Sequence, residues 1–92
     1  MVSKELKITN ETGIHARPAS EIVEVANKFS CDIFLIKDGV RANAKSIMNI
    51  LFLAAEPGCE ITAEAEGPDE QKALDALSRL FKAKFSNDAP VT

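Results

Sequence analysis

The chain has 92 residues, 46% of them hydrophobic and 27% charged, with a net charge of −3. That size and balance predict one folded domain with a modest core, and exclude both disorder and a deep two-lobed cleft. Acids and bases are mixed with no basic block, which argues against nucleic acid as a partner, and the longest apolar run, Ile47 to Ala55, is broken by Asn49 and too short for a membrane span.

In chain order, Lys4 to Thr9 alternates, with Leu6 and Ile8 on one side and Lys7 and Thr9 on the other, which predicts a half-buried strand. Asn10 to Gly13 reads as a turn. From Ala16 the period becomes helical: Ala19, Ile22, Val23 and Ala26 share a stripe, with Glu21 and Glu24 elsewhere on the surface. Between Cys31 and Ala44 a strand leads to Asp38-Gly39 and then to a second short strand. This is a strong hairpin signal, because a type I′ turn needs positive φ at both central residues. Ser46 is placed to cap a short helix that runs to about Ala54. Glu56-Pro57-Gly58 interrupts the chain, and Glu60 to Glu66 then alternates strictly, with Ile61, Ala63 and Ala65 facing one way. Asp69 to Phe85 reads as a helix whose stripe is Ala73, Leu74, Leu77, Leu80, Phe81 and Phe85.

The order βαββαβα, with a hairpin and one-sided alternation, predicts an α+β fold: a two-layer sandwich in which helices cover one face of an antiparallel sheet and the other face is wet. Residues 1–88 are expected to form a single domain, and residues 89–92 a loose tail. Phe34 and Ile36 fall on the wet face, either as scattered apolar residues or as a weak contact site. Cys31 and Cys59 form no CxxC pair, and the first residues carry no apolar signal core, so both cysteines read as reduced thiols in a cytoplasm. One histidine and two cysteines make no zinc-ligand set, so no metal is expected.

That one histidine, His15, lies in the stretch TGIHARPAS, Thr12 to Ser20. Pro18 is tolerated there if it falls in the first helical turn, where its missing N–H has no helical partner to lose. His15 then sits at or beside an N-cap, where the positive helix end disfavours the imidazolium and keeps a neutral, nucleophilic ring near pH 7. The N–H groups of Ala16 and Arg17 suit an anion, and the Arg17 guanidinium matches phosphate oxygens. On the residues alone two readings stand level: a capping histidine beside a solvated arginine, or an acceptor and donor of phosphoryl groups.

The stretch TGIHARPAS resembles the active-site motif of the HPr family, the small histidine phosphocarriers of the bacterial phosphoenolpyruvate-dependent phosphotransferase system. A second stretch, KSIMNIL from Lys45 to Leu51, is similar to the regulatory serine region of the same family, and the likeness runs from Leu6 to about Phe85. The resemblance implies an open-faced β-sandwich with a four-stranded antiparallel sheet and three helices on one face. It implies that His15 carries the phosphoryl group on Nδ1, that Arg17 helps to transfer it, and that Ser46 is a site for an ATP-dependent HPr kinase. It also implies a docking patch of Ile47, Met48 and Leu51 for enzyme I and the sugar-transport enzymes II, chiefly their EIIA domains. A transcriptional regulator could read the phosphoserine. Such a protein works as a monomer and without a bound cofactor. It is a covalent relay with no small substrate of its own; phosphoenolpyruvate and Mg²⁺ serve its donor.

Three features depart from the family pattern or divide it. Ala54-Ala55 stands where many members carry a glycine, a change expected to affect only the helix end. Glu21 and Glu24 occupy positions where sugar-system members often carry neutral or basic side chains. The ending LFKAKFSNDAP is closer to NPr, the nitrogen-type paralogue, whereas KSIM points to kinase-regulated members. Two functional classes follow: a phosphoryl relay, favoured by His15, and a regulatory module read by a target protein, favoured by Ser46. A plain interaction domain, with His15 as a cap, is the third. A small hydrolase lacks a base and its orienting partner.

Overall fold

The alternation of EITAEAE becomes the middle of a sheet. The computed structural model describes residues 1–9, 14 and 16–83. Its elements are β1 (Val2–Lys7), α1 (Ala16–Ala26), β2 (Asp32–Lys37), β3 (Val40–Asn43), α2 (Ile47–Phe52), β4 (Glu60–Glu66) and α3 (Glu70–Lys82). The strands form one sheet in the order β1-β4-β2-β3, with every neighbouring pair antiparallel. This is the βαββαβα architecture that the sequence predicts.

Ile61, Ala63 and Ala65 of β4 turn to the core with Leu6 and Ile8 on one side and Ile33 and Leu35 on the other. The helices close over that face through Ala19, Ile22 and Ala26 of α1, Ile50 of α2, and Ala73, Leu74, Leu77 and Phe81 of α3. Two alanines on β4 leave room for α3, which packs on β1, β4 and β2. Between β2 and β3, Asp38 and Gly39 both have positive φ, 51° and 79°, as the type I′ turn requires.

β1 lies two residues earlier than its alternation suggests. Its partner determines its extent: β4 runs on to Glu66, so Val2 pairs with Ala65. Ile8 still bonds across to Cys59 and Gly58 where the two chains part. The last helix starts at Glu70 rather than Asp69, because Asp69 is its N-cap residue and uses its carboxylate elsewhere. That carboxylate accepts from the N–H of Ser30 at 2.9 Å and of Cys31 at 3.0 Å, stitching the entrance of β2 to the start of α3. Gly67 is required at the same junction. Its φ is +147°, and a Cβ there would stand 2.7 Å from both Cα and Cβ of Cys31. Phe85 lies outside the described residues.

The wet face carries Phe34 and Ile36 half-buried, as alternation places them. Phe34 is covered from above. The Arg41 guanidinium carbon lies 3.9 Å from its ring centroid, and Arg41 also meets Glu64 at 3.6 Å.

Candidate functional site

α1 opens at Ala16 and buries Pro18, Ala19, Ile22 and Ala26, so Ala16 and Arg17 are left exposed. Pro18 is the third residue of the helix, inside the first turn, where the helix makes no use of its missing N–H. His15 lies outside the described residues, as do residues 10–13. The chain is fixed just before it. Ile14 is 7% exposed, and its N–H donates to the Ala55 carbonyl at 3.0 Å.

A second tether joins the opposite ends of the two helices. The Lys45 ammonium donates to the Phe29 carbonyl at 2.9 Å, past the C-terminus of α1. The exit of α2 is thus tied to the entrance of α1, and the entrance of α2 to the exit of α1. The stretch that holds His15 is tied, through Ile14, to the chain just past α2 at Ala55. Ser46 stands at the other end of α2, about 10 Å away along a six-residue helix.

Ser46 is the N-cap of α2, with φ −124° and ψ 115°. Its Oγ accepts from the Asn49 N–H at 3.3 Å and from Asn49 Nδ2 at 3.1 Å. Asn49 Oδ1 in turn accepts from the N–H of Asn43 at 3.4 Å, so β3 and α2 share one small polar network. Next to it Ile47 is 41% exposed and Met48 62%. Leu51, the third expected patch residue, is half-buried and packs against the core. Phe52 is 76% exposed, and sequence reasoning missed it. The signal was present in its position four residues after Met48, one helical turn along the same face. Ile50 and Leu53 are the residues that α2 sends inward.

The alanine at position 54 reaches further than a helix end. Ala54 has φ +50°, the left-handed conformation that glycine takes without strain, at the residue after the α2 C-cap. Its neighbour Ala55 holds Ile14, so the strained residue adjoins the tether between the exit of α2 and the entrance of α1. Among the described residues, no group of three His, Cys, Asp or Glu side chains is arranged to hold a metal ion. No described helix is long and apolar enough to cross a membrane.

An open antiparallel sheet roofed by three helices, with α1 and α2 linked at both ends, makes an open-faced α+β sandwich. The chain matches the family model described as PTS HPr component phosphorylation site over residues 2–83. It is 47% identical to Phosphocarrier protein HPr of Treponema pallidum over 88 residues, which is 96% of this chain and all of the relative. It is also 47% identical to HPr-like protein Crh of Bacillus subtilis over 78 residues, covering 85% of this chain and 92% of Crh. The crystal structure of HPr-C-His from Thermoanaerobacter tengcongensis superposes with a TM-score of 0.90 at 44% identity, covering 94% of this chain and 97% of that one. The chain belongs to the HPr family, the phosphocarrier proteins of the phosphotransferase system.

Proposed function

We propose that this protein, as a cytoplasmic monomer, accepts a phosphoryl group from phospho-enzyme I on His15 and passes it to EIIA domains. The observation that carries this reading is the stretch TGIHARPAS, which lies within the residues of the family match and enters α1 at Ala16. A ring nitrogen of His15 attacks phosphorus as the P–N bond to the donor histidine breaks; the acceptor later repeats the exchange in the forward direction. No water takes part and no cofactor is needed. The start of α1 supplies partial positive charge for the phosphoryl oxygens, and the Arg17 guanidinium adds a full one. Ile47, Met48, Leu51 and the adjoining Phe52 form the docking patch.

Ser46 supports a second, compatible reading, in which an HPr kinase modifies it and a transcriptional regulator or another target reads the result. Two observations favour it: Ser46 caps α2 at the edge of an exposed apolar patch, and Crh and HPr relatives match this chain at equal identity.

Incubation with phosphoenolpyruvate, Mg²⁺ and enzyme I should add one phosphoryl group, labile in acid and stable in alkali. His15→Ala should abolish it, and Arg17→Ala should slow transfer on the order of 10²-fold, the usual effect of losing one preorganised donor. An acid-stable adduct, or normal labelling of His15→Ala, removes the assignment.

A further inference from the structure

Among the described residues β1 is an edge strand, and its outer edge faces a cleft. The Ile8 N–H donates to the Cys59 carbonyl at 2.9 Å, and the Ile8 carbonyl accepts from Gly58 at 2.7 Å, so both backbone groups of Ile8 face the β4 side. Alternation along an antiparallel ladder turns those of Leu6 and Lys4 the same way and leaves the N–H and C=O of Ser3, Glu5 and Lys7 directed out of the sheet. Beside this edge runs a face of α3 made by Ser78, Phe81 and Lys82, spaced i, i+3 and i+4. The cleft between them holds about 180 Å³.

Leu6 and Phe81 give the cleft an apolar floor, and Ser78, the one buried polar side chain among the described residues, brings a hydroxyl to it. Among the described residues, Lys4, Lys7 and Lys82 put three ammonium groups on its rim against the single carboxylate of Glu5. None of the three lysines is in an ion pair among the described residues. The C-terminal end of α3 also points this way, and Arg79 and Lys82 in its last turn offset its negative pole.

We infer that the cleft between β1 and α3 is a docking groove for an extended acidic segment of a partner protein, which adds to the sheet as a fifth strand beside β1. The outward-directed backbone groups of Ser3, Glu5 and Lys7, unpaired among the described residues, supply main-chain hydrogen bonds, and the apolar floor takes every second side chain. Unpaired lysines on the rim select carboxylates on the others. The same lysines argue against a second copy as the occupant, because pairing two β1 edges brings like charges together. The groove uses neither His15 nor Ser46, so it stands or falls separately from the phosphocarrier reading.

The test is a titration of the ¹⁵N-labelled full chain with the peptide acetyl-Glu-Val-Asp-Val-Glu-Val-Asp-amide. Saturable shifts should be confined to β1 and the last two turns of α3, with slowed amide exchange at Ser3, Glu5 and Lys7. Replacing Lys4 and Lys82 together by Glu should weaken binding about tenfold or more, as for rim charges facing a charged partner. The Lys4→Gln, Lys82→Gln pair, which cannot repel, should lose less. The inference is overturned by any one of four results. These are no shift at about 1 mM peptide, equal binding of a lysine-for-acid peptide, equal binding of a peptide N-methylated at alternate residues, or β1 shifts that follow protein concentration alone and so report a second copy.

Discussion

Ala54 is the residue whose backbone and side chain disagree. At φ +50° an alanine is strained on the order of 1 kcal/mol or more relative to glycine. Part of that is returned by the greater freedom of glycine in the unfolded chain. Ala54→Gly should therefore raise stability by about 0.5–1 kcal/mol, a rise in Tm of a few degrees for a domain of this size. A fall in Tm would mean that the methyl group makes a contact worth more than the strain. Cys31 makes a second case at this scale. Its burial and the neighbouring Asp69 carboxylate push its thiol up to about 11, from 9.0. The raised value favours the neutral thiol, so its contribution to stability is complete below pH 9 and is lost as pH rises through 11. A thiol reagent at pH 8 should label half-buried Cys59 promptly and Cys31 only as the chain unfolds. Equal rates for the two in the native protein would contradict this.

At the scale of elements, the junction of β2 and α3 depends on one carboxylate. Hydrogen bonds from the Ser30 N–H, and then from Cys31, hold Asp69 below its ordinary value of 3.8. A depressed acid stabilises the fold above its unfolded value and loses that contribution as pH falls through the folded one. Asp69→Asn should lower Tm at pH 7, and the gap from the parent should shrink below about pH 4, where the carboxylate begins to protonate in the unfolded chain while the folded one still holds its charge. A gap that stays constant down to pH 2 would show that the amide replaces the carboxylate fully. Composition suggests none of this. Asp69 reads as an ordinary helix start, and its partners lie 38 and 39 residues earlier in the chain. What was legible was periodic: the alternation of β4, the stripes of α1 and α3, and the Asp38-Gly39 turn each carry their own local signal. Strand ends and long-range tethers do not, because the partner sets them, as β4 sets β1 and Ala55 holds Ile14. The site divides in the same way. Ser46 as a cap is local and was legible, whereas Phe52 went unread because an apolar residue within an apolar run looks like core.

For the molecule as a whole, the two linked helices separate Ser46 from the start of α1 by the length of α2. A charge placed at Ser46 therefore acts at a distance or on whatever docks against Ile47, Met48 and Phe52. The cap position tolerates the charge electrostatically, so the fold should persist, while a partner surface must desolvate it. Ser46→Asp should weaken enzyme I binding with little change in Tm. Added salt should restore part of the loss, because exposed charges are screened over roughly 10 Å at 0.1 M. Calorimetric titration of both proteins at two salt concentrations checks this; equal affinities would end the docking explanation, and a large fall in Tm would leave Ser46 a structural cap only. The sheet order has a consequence in time. Among the described residues β1 has one sheet neighbour, β4, whose first residue is Glu60, so during synthesis it waits for that partner while more than fifty residues follow it. At ribosomal rates that interval is roughly 3–12 s, far longer than a hairpin needs to form. The β2–β3 hairpin and the early helices can assemble in that interval, and β1 is left to close the sheet last.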